Sequence, residues 1–422
     1  MSAAVAERLH ALDALRAVAM LLGVWLHAAI PYVEGVPPGF WAVTGKEPSA
    51  LAGLSVLLIH SCRMQVFFLV SGFFTAMLVA RRGAGGMLRN RALRIGLPFV
   101  LAMLTIQPIC AVVWGVGYAS QSGEPFARVL PASMLGMLGF AITGDGRGPG
   151  MWHLWFLYML LWLVAIGVGV RTLVCATAAG RRAGDAAGRA LARAIRSWFA
   201  PVLLALPLLG GMYLQPAWDV QAWQSMIPEW RPLAYYLMVF GAGWMLYAHR
   251  EALVPAARRW WLCGLVAIAA AAAHLATLLL GERLMGPALR DFTGRSTFAL
   301  LTSSLGLASL FVFVRFLSSP GPRLLGAMRY VSDSAYWVYL AHLPLVVAVS
   351  IALEQTGLSA PAKLGLNTLV SSVLLLASYA LLVRPTPLGR LLGGKRGRGG
   401  GSGPGGGHGP GASGVQQSGE FA

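Results

Sequence analysis

The feature that most constrains this chain is a succession of apolar runs, many of them long enough to cross a bilayer, that fills most of the sequence. About 20 apolar residues cross the hydrocarbon core as a helix. Charged residues are only 11% of the chain, against roughly a quarter in soluble domains. The runs are 11–32, 54–80, 93–118, 151–174, 198–214, 231–249, 260–280, 297–317, 330–353 and 364–383. We predict an all-α, polytopic membrane bundle of about ten transmembrane helices. A shorter run, 129–143, is interpreted as interfacial or re-entrant.

Basic residues are distributed unevenly between the predicted spans. The formal net charge is +18, and arginines crowd into alternate connecting segments such as 81–94, 171–196 and 384–398. Because cytoplasmic loops are enriched in Arg and Lys, this pattern predicts a cytoplasmic N-terminus and C-terminus. No soluble module is left to bind nucleic acid, so we expect the lipid bilayer to be the partner of these charges.

Two segments have compositions that differ from the spans. Residues 393–422 are mostly Gly with Ser, Pro and basic residues, and they cannot bury enough apolar surface to fold. We predict a membrane domain over 1–392 and a disordered cytoplasmic tail after it. The segment 175–197 is rich in Ala, Gly and Arg and is predicted to be disordered or to form a short basic surface helix.

The cysteines show no spacing typical of a metal site or a redox pair. They are Cys62, Cys110, Cys175 and Cys263. We interpret them as small core residues and expect no metal site. The first apolar run has no convincing cleavage site and contains charged residues, which favours a first span over a signal peptide.

The first span carries Asp13, Arg16 and His27. Ionisable side chains inside a membrane are costly, and each is a functional hypothesis. Eleven residues of helix put Arg16 and His27 about 20° from a common face and about 16 Å apart along the axis. Arg16 could hold an anionic group at the inner end, while His27 could take a proton nearer the outer end. The alternative is an Asp13–Arg16 pair and a histidine that only fix packing.

The second span contains His60 and Arg63, which share a helical face at this spacing. Arg63 lies well inside the run and needs an anion, a carbonyl or water. Ser71-Gly72 is more typical of close helix packing than of a nucleophile. Arg91 and Arg94 follow, with a spacing that would point both guanidinium groups to the cytoplasm. Arginine forks suit phosphates, but the same residues could serve only orientation and lipid contact.

Two later spans add polar groups. His153 and Trp155 open a span rich in aromatics. Such aromatics are more typical of anchors at the membrane interface, and a stacking platform for sugar is the alternative. Tyr339 and His342 share a stripe within another span, where function and interhelical hydrogen bonding are both open. His274 is interpreted as an interior histidine that is already hydrogen-bonded.

Several of these motifs resemble the membrane acyltransferase-3 family. The pair Arg16 and His27, with ten residues between them, and the Arg-x-x-Arg at 91–94 are its marks. Further blocks are Phe-Phe-Leu-Val-Ser-Gly-Phe-Phe at 67–74, His-Leu-Trp-Phe-Leu at 153–157 and Ala-Tyr-Trp-Val-Tyr-Leu-Ala-His-Leu-Pro at 335–344. Leu-Asp-Ala-Leu-Arg at 12–16 and His-Ser-Cys-Arg-Met-Gln-Val-Phe-Phe at 60–68 are most similar to the glucan biosynthesis protein C branch. Residues 175–330 give no block that matches.

The resemblance implies a ten-helix enzyme of the bacterial inner membrane, an acyltransferase for groups other than amino-acyl groups. It implies an acyl-CoA donor, either succinyl-CoA or acetyl-CoA, which is a substrate and not a bound cofactor. In this branch it implies succinyl transfer to hydroxyls of a periplasmic glucan. Arg16 and His27 would be catalytic, and Arg91 and Arg94 would also be functional. Because arginine forks suit phosphates, we expect Arg91 and Arg94 to bind the donor, and Arg63 is the candidate to bind the extra carboxylate of a succinyl donor. His27 could act as a general base or carry the acyl group.

Other functions fit part of the same pattern. An enzyme of this type could instead O-acetylate a cell-surface polysaccharide or a small glycoside. Intramembrane His and Arg also mark transport paths, so a transporter is the alternative from another class. Transporters often show inverted repeats, and none is evident in the sequence.

Overall fold

The computed structural model describes residues 3–37, 40–143, 150–222, 224–317 and 321–392. Those residues form helices and connecting segments, with no strand among them. The helices are α1 Ala3–Ala29, α2 Ala50–Arg91, α3 Leu97–Ser122, α4 Phe126–Thr143, α5 Trp155–Ala176, α6 Ala178–Arg196, α7 Ala200–Met212, α8 Trp230–Ala248, α9 Leu253–Ala257, α10 Trp260–Leu284, α11 Pro287–Phe316, α12 Pro322–Glu354, α13 Ala360–Ser378 and α14 Pro387–Leu391. The all-α prediction is confirmed, and the predicted disordered tail, 393–422, lies outside the described residues.

Seven helical segments of the described chain are long and apolar enough to cross a membrane. They cover 10–32, 50–122, 152–176, 260–284, 287–316, 323–354 and 360–383. One of them, 50–122, contains both α2 and α3 and is 73 residues long. The protein is therefore a multi-pass membrane protein, while the count of about ten spans and the orientation of the termini stay predictions. The segment predicted to be interfacial, 129–143, is helical as part of α4, which packs against α3.

Helix α1 packs against four other helices, α2, α11, α12 and α13. Of its most apolar window, 61% is buried inside the protein. Val18 and Leu22 are exposed apolar residues of α1 and mark the side that the bundle leaves open. The opposite side of the helix is surrounded by protein, so a side chain such as His27 meets side chains of other helices.

The crossing of α2 and α8 depends on two glycines. A methyl group at Gly72 would overlap the carbonyl oxygen of Phe240, and one at Gly243 would overlap that of Leu69. Small residues let the backbones of membrane helices approach this closely. The prediction that Ser71-Gly72 is a close-packing site is confirmed.

Helix α2 does not end where its apolar run ends. It continues through a bend at Gly83, where φ is 69°, to Arg91. Glycine adopts this left-handed conformation without the steric cost that a Cβ brings. A π-helical turn, Ala92–Gly96, then leads directly into α3.

The segment 175–197 is largely α6, so the surface-helix alternative holds and the disordered one is wrong. Thr177 caps it, because the hydroxyl oxygen accepts a hydrogen bond of 3.0 Å from the Gly180 backbone N–H. Ile195 and Gly188 are buried against the bundle. The arginines of α6 are exposed, as expected for a basic surface helix.

Candidate active site

Three histidines converge from distant parts of the chain. His27 ends α1, His153 lies in the single 3₁₀ turn Trp152–Leu154 before α5, and His342 is within α12. The ring centre of His342 is 5.1 Å from that of His27 and 5.0 Å from that of His153. The sequence had assigned these residues separate roles, and the structure brings them into one cluster.

Backbone carbonyls of α12 determine which nitrogen of two of these rings carries the proton. His153 Nε2 lies 3.0 Å from the Leu340 carbonyl oxygen, and His342 Nδ1 lies 2.6 Å from that of Tyr339. A carbonyl oxygen can only accept, so each of these nitrogens must be the N–H donor. In the neutral rings, His153 Nδ1 and His342 Nε2 are therefore bare lone pairs.

Tryptophans enclose the histidine cluster on one side. The Trp41 ring is stacked on His27, with 5.6 Å between centres and an interplanar angle of 6°. Trp114 contacts both Trp41 and Trp152 with ring centres 5.0 Å apart. Trp152 is the one non-glycine residue with positive φ, 42°, among the described residues. Such conformations are strained and persist where surrounding contacts hold them, often at functional sites.

Buried polar atoms without a hydrogen-bond partner accumulate here. Fewer than about one buried polar group in ten is normally unpaired. In and beside the cluster the unpaired atoms are His27 Nδ1, His153 Nδ1, His342 Nε2, Trp41 Nε1, Trp152 Nε1, Arg63 Nε and Gln107 Oε1. This set contains both donors and acceptors, which fits a polar ligand such as a polyhydroxylated molecule.

Arg63 reaches the same region from α2. Its guanidinium lies against α1 at Gly23, where a Cβ atom would be only 2.8 Å from Arg63 Nη2. Gly23 is one helical turn before His27. Arg63 also lies over the Phe67 ring, at 5.8 Å, and is 8% exposed. Within the described chain no carboxylate lies within 4 Å of the guanidinium, so the cation has no ionic partner there.

His60 and Arg63 were predicted to share a face, but the structure gives them different partners. His60 Nε2 lies 3.5 Å from Asp219 Oδ2, and both side chains are partly exposed. Asp219 belongs to the segment between α7 and α8, and the hydrogen bond with His60 lowers its pKa below the usual value. His60 therefore holds a connecting segment in place and does not join the histidine cluster.

A buried ion pair fixes the connecting segment that carries Trp41. Glu354, at the end of α12, accepts hydrogen bonds from the Tyr32 hydroxyl at 2.9 Å and from Lys363 Nζ at 3.1 Å. Gly45 N–H donates to the Pro31 carbonyl and Ser49 N–H to the Tyr32 carbonyl, each at 2.8 Å. Sequence analysis singled out none of Trp41, Glu354 and Lys363. Two lone charges, Glu354 and Lys363, at the ends of neighbouring apolar runs were the available signal.

The arginine groups lie toward the other end of α1. Arg16 Nη2 pairs with Asp13 Oδ1 at 3.3 Å, as the sequence predicts, and both side chains are about two-fifths exposed. Arg91 turns inward and donates to the Thr75 hydroxyl at 3.2 Å, while Arg94 is exposed. The expectation that Arg91 and Arg94 point out together is wrong, because the π-helical turn begins between them. The charges of Arg16 and Arg94 still act on Arg91.

The aromatic residues around His153 are interior and not interfacial. Trp152, His153 and Trp155 are at most 8% exposed, so their interpretation as anchors at the membrane interface is wrong. The Tyr339 hydroxyl donates to the His153 carbonyl oxygen. Tyr339 therefore fixes the turn that carries His153, which is the interhelical role that the sequence left open.

His274 is remote from this cluster and has its own partner. Its Nδ1 lies 3.0 Å from the Thr297 hydroxyl, as expected for an interior histidine that is hydrogen-bonded. Among the described residues no group of three or more His, Cys, Asp and Glu side chains has a geometry that could hold a metal ion. The side chains that meet in the cluster carry imidazole, guanidinium and indole groups.

The acyltransferase-3 family model, an acyltransferase domain, matches residues 9–383 of the chain. The chain belongs to the acyltransferase-3 family. The match includes all the residues of the histidine cluster and the arginine groups.

Similar curated proteins are called glucans biosynthesis protein C. Those of Salmonella paratyphi B, Salmonella heidelberg and Salmonella agona are each 30% identical over 174 residues. The aligned region is 41% of this chain and 41% of each relative, so it spans about two-fifths of their length. No solved structure matches significantly.

Proposed function

We propose that the protein transfers an acyl group, in particular succinyl, from a cytoplasmic acyl-CoA donor to hydroxyl groups of a periplasmic glucan, across the bacterial inner membrane. The observation that carries this proposal is His27. Its imidazole lies in a cluster of unpaired buried polar atoms, next to a cation without a carboxylate, on the same helix as Arg16. The relatives named for glucan biosynthesis support the acceptor class.

Arg16, Arg91 and Arg94 supply the donor end of the reaction. Arg91 ends α2 and Arg94 lies in the turn between α2 and α3, and the charges of Arg94 and Arg16 act on Arg91. Guanidinium forks bind phosphates through paired hydrogen bonds. In this proposal they hold the phosphates of the donor, and Arg16 directs its acyl arm along α1 toward His27, about 16 Å away.

His27 supplies the reacting end. In the general-base route its bare nitrogen takes the proton of an acceptor hydroxyl while the oxygen attacks the thioester carbonyl. The new C–O bond forms, the C–S bond breaks, and His27 gives the proton to the departing thiolate. In the alternative route His27 first carries the acyl group and the hydroxyl then displaces it. The same imidazole is required in both.

Arg63 favours a dicarboxylic acyl group over acetyl. A buried cation is costly unless it is paired, and the described residues offer Arg63 no carboxylate. The free carboxylate of a succinyl group would supply the missing anion one helical turn from His27. An acetyl group has no charge to offer there.

The unpaired hydrogen-bond donors and acceptors of the site support a glucan as the substrate that receives the acyl group. Indole N–H groups of Trp41 and Trp152 can donate, and the lone pair of His153 and the side-chain oxygen of Gln107 can accept. Sugar hydroxyl groups do both, and sugar rings stack on aromatic faces. A glucan therefore matches the residues of this site better than a substrate with a single polar group.

Replacement of His27 by Ala tests the proposal. We expect acylation of periplasmic glucans to fall about 100-fold or more, the contribution typical of a general acid–base residue. The measurement is mass spectrometry of glucans from cells that express equal amounts of each variant in the membrane. His274→Ala, which removes a histidine remote from the cluster, is the matched control and should keep acylation. Wild-type acylation by His27→Ala would refute the proposal.

A further inference from the structure

We infer that His342 is the positioning residue for His27: its Nε2 lone pair accepts the proton on His27 Nδ1, which leaves His27 Nε2 bare to act as the base. The inference rests on the proposed function for its catalytic meaning. Its structural part, the position of one proton, can be tested by itself.

The first step is the tautomer of His342. Its Nδ1 is committed as donor to the Tyr339 carbonyl oxygen at 2.6 Å, so Nε2 can only accept in the neutral ring. That Nε2 atom is buried and has no partner. An unpaired buried acceptor is costly, and a nearby N–H group is needed to satisfy it.

The second step excludes the neighbouring rings one by one. Three rings contact His342, those of His27, His153 and Tyr339. His153 is a donor only at Nε2, which is committed to Leu340, and the Tyr339 hydroxyl is committed to the His153 carbonyl. Among these three rings the remaining donor is His27, whose Nδ1 is also buried and without a partner.

The third step is distance. The ring centres of His27 and His342 are 5.1 Å apart and the rings are inclined by 38°. At that separation, ring nitrogens that face each other come within a hydrogen bond of about 3 Å. These two nitrogens are not hydrogen-bonded to each other in the structure, so one ring must rotate to bring them together.

The consequence is a fixed tautomer of His27. With Nδ1 protonated, Nε2 carries the lone pair, and the residue as a whole is only half-buried although Nδ1 is buried. The reactive nitrogen is therefore on the open side of the ring. In hydrolase triads a third residue orients the catalytic imidazole through the second ring nitrogen of that imidazole. Here the neutral imidazole of His342 takes the place of the triad's carboxylate.

A neutral partner suits the charges around it. The titratable groups that act on His342 are His27 from α1, Arg63 from α2 and His153 from the turn before α5. Arg63 already places a cation beside the cluster, and a bound succinyl carboxylate would neutralise it. The lone pair of His342 can then stabilise the positive charge that His27 gains when it takes the acceptor's proton.

The test is ¹⁵N NMR of the full chain in lipid nanodiscs with labelled histidine, because the ring nitrogen shifts report which nitrogen carries the proton. We expect His27, identified by the signal that His27→Ala removes, to be protonated at Nδ1 and bare at Nε2. His342→Gln, whose amide oxygen can replace the Nε2 acceptor, should keep this tautomer. His342→Phe should give a mixture. A wild-type His27 protonated at Nε2 would overturn the inference, whatever the activity.

Kinetics supply the second measurement. We expect kcat to fall about 100-fold in His342→Phe, to recover about tenfold of that loss in His342→Gln, and KM for the glucan to change little. His274→Phe is the control for loss of a buried histidine and should keep kcat. An unchanged kcat in His342→Phe would overturn the positioning role. If His342→Phe does not fold, the wild-type spectrum and His342→Gln decide. If the tautomer is as expected but wild-type protein acylates no glucan, the proposed function fails and the proton position stands.

Discussion

At the scale of single residues, Gly23 and Arg63 depend on each other. The guanidinium occupies the space that a side chain at position 23 would fill. A buried arginine without a carboxylate partner lowers stability, and the proposed succinyl carboxylate would remove this cost. The Phe67 ring below it contributes a cation–π contact, which holds the guanidinium in position without neutralising it.

Replacing Arg63 by Gln should therefore change the choice of donor. We expect succinyl transfer to fall about 10- to 100-fold, since a hydrogen bond to a charged group contributes about 1.5–3 kcal/mol. Acetyl transfer should change much less, because an acetyl group has no carboxylate that could pair with Arg63. The measurement compares both acyl-CoA donors at equal concentration. Arg63→Lys keeps the charge and should retain part of the succinyl rate. Equal loss with both donors would contradict the role in donor selection.

At the scale of helices, the backbones of α2 and α8 come very close to each other where the two helices cross. Without a hydrophobic driving force between helices in lipid, such contacts rest on van der Waals packing of backbones. Gly72 and Gly243 provide it from the two sides. The same helix α2 carries Arg63, so a shift at the crossing would move the cation relative to α1.

An added methyl group at this crossing should separate the helices. We expect Gly72→Ala and Gly243→Ala each to cost about 1–3 kcal/mol, the usual range for overpacking, and to lower Tm in detergent. Gly241→Ala is the matched control on α8, because a Cβ there has no neighbour within 4 Å. Its Tm should be unchanged or slightly higher. A Tm for Gly243→Ala equal to that of the control would contradict the packing argument.

At the scale of the whole molecule, the two ends of α1 have different chemistry. One end has exposed and half-exposed arginines, and the other has buried imidazoles and indoles. The Tyr32–Glu354–Lys363 network ties the start of the segment with Trp41 to α12 and α13. The position of Trp41 over His27 thus depends on contacts between residues more than 300 positions apart in sequence.

Removing one charge of the Glu354–Lys363 pair should lower the stability more than replacing both charges. We expect Lys363→Met to cost about 3–5 kcal/mol, because it leaves a buried carboxylate without its cation. Adding Glu354→Gln should recover much of this loss, since the amide oxygen still accepts from Tyr32 and no charge remains. The measurement is Tm of the single and double variants in one detergent. Additive losses in the double variant would show that the two charges do not act as a pair.

Much of the fold could be predicted from the sequence because its causes are local. Long apolar runs must be helices in lipid, since each backbone group has to be satisfied within its own segment. The pairing of Asp13 with Arg16 and the close packing at Gly72 also follow from spacing on one or two turns. The number of spans could not be fixed in the same way, because seven helical segments of the described chain are long and apolar enough to cross a membrane, and one of them contains both α2 and α3.

For the candidate site, sequence and tertiary structure contribute differently than they do for the fold. The sequence by itself determined that His27 and Arg16 lie along one helix and that the family is that of acyltransferases. Only the tertiary structure decided that His153 and His342 meet His27, that Trp41 covers it, and that His60 pairs with Asp219 instead of joining Arg63. Helical periodicity fixes neighbours within a turn, whereas contacts between distant helices are set by packing of the whole bundle, which no local pattern encodes.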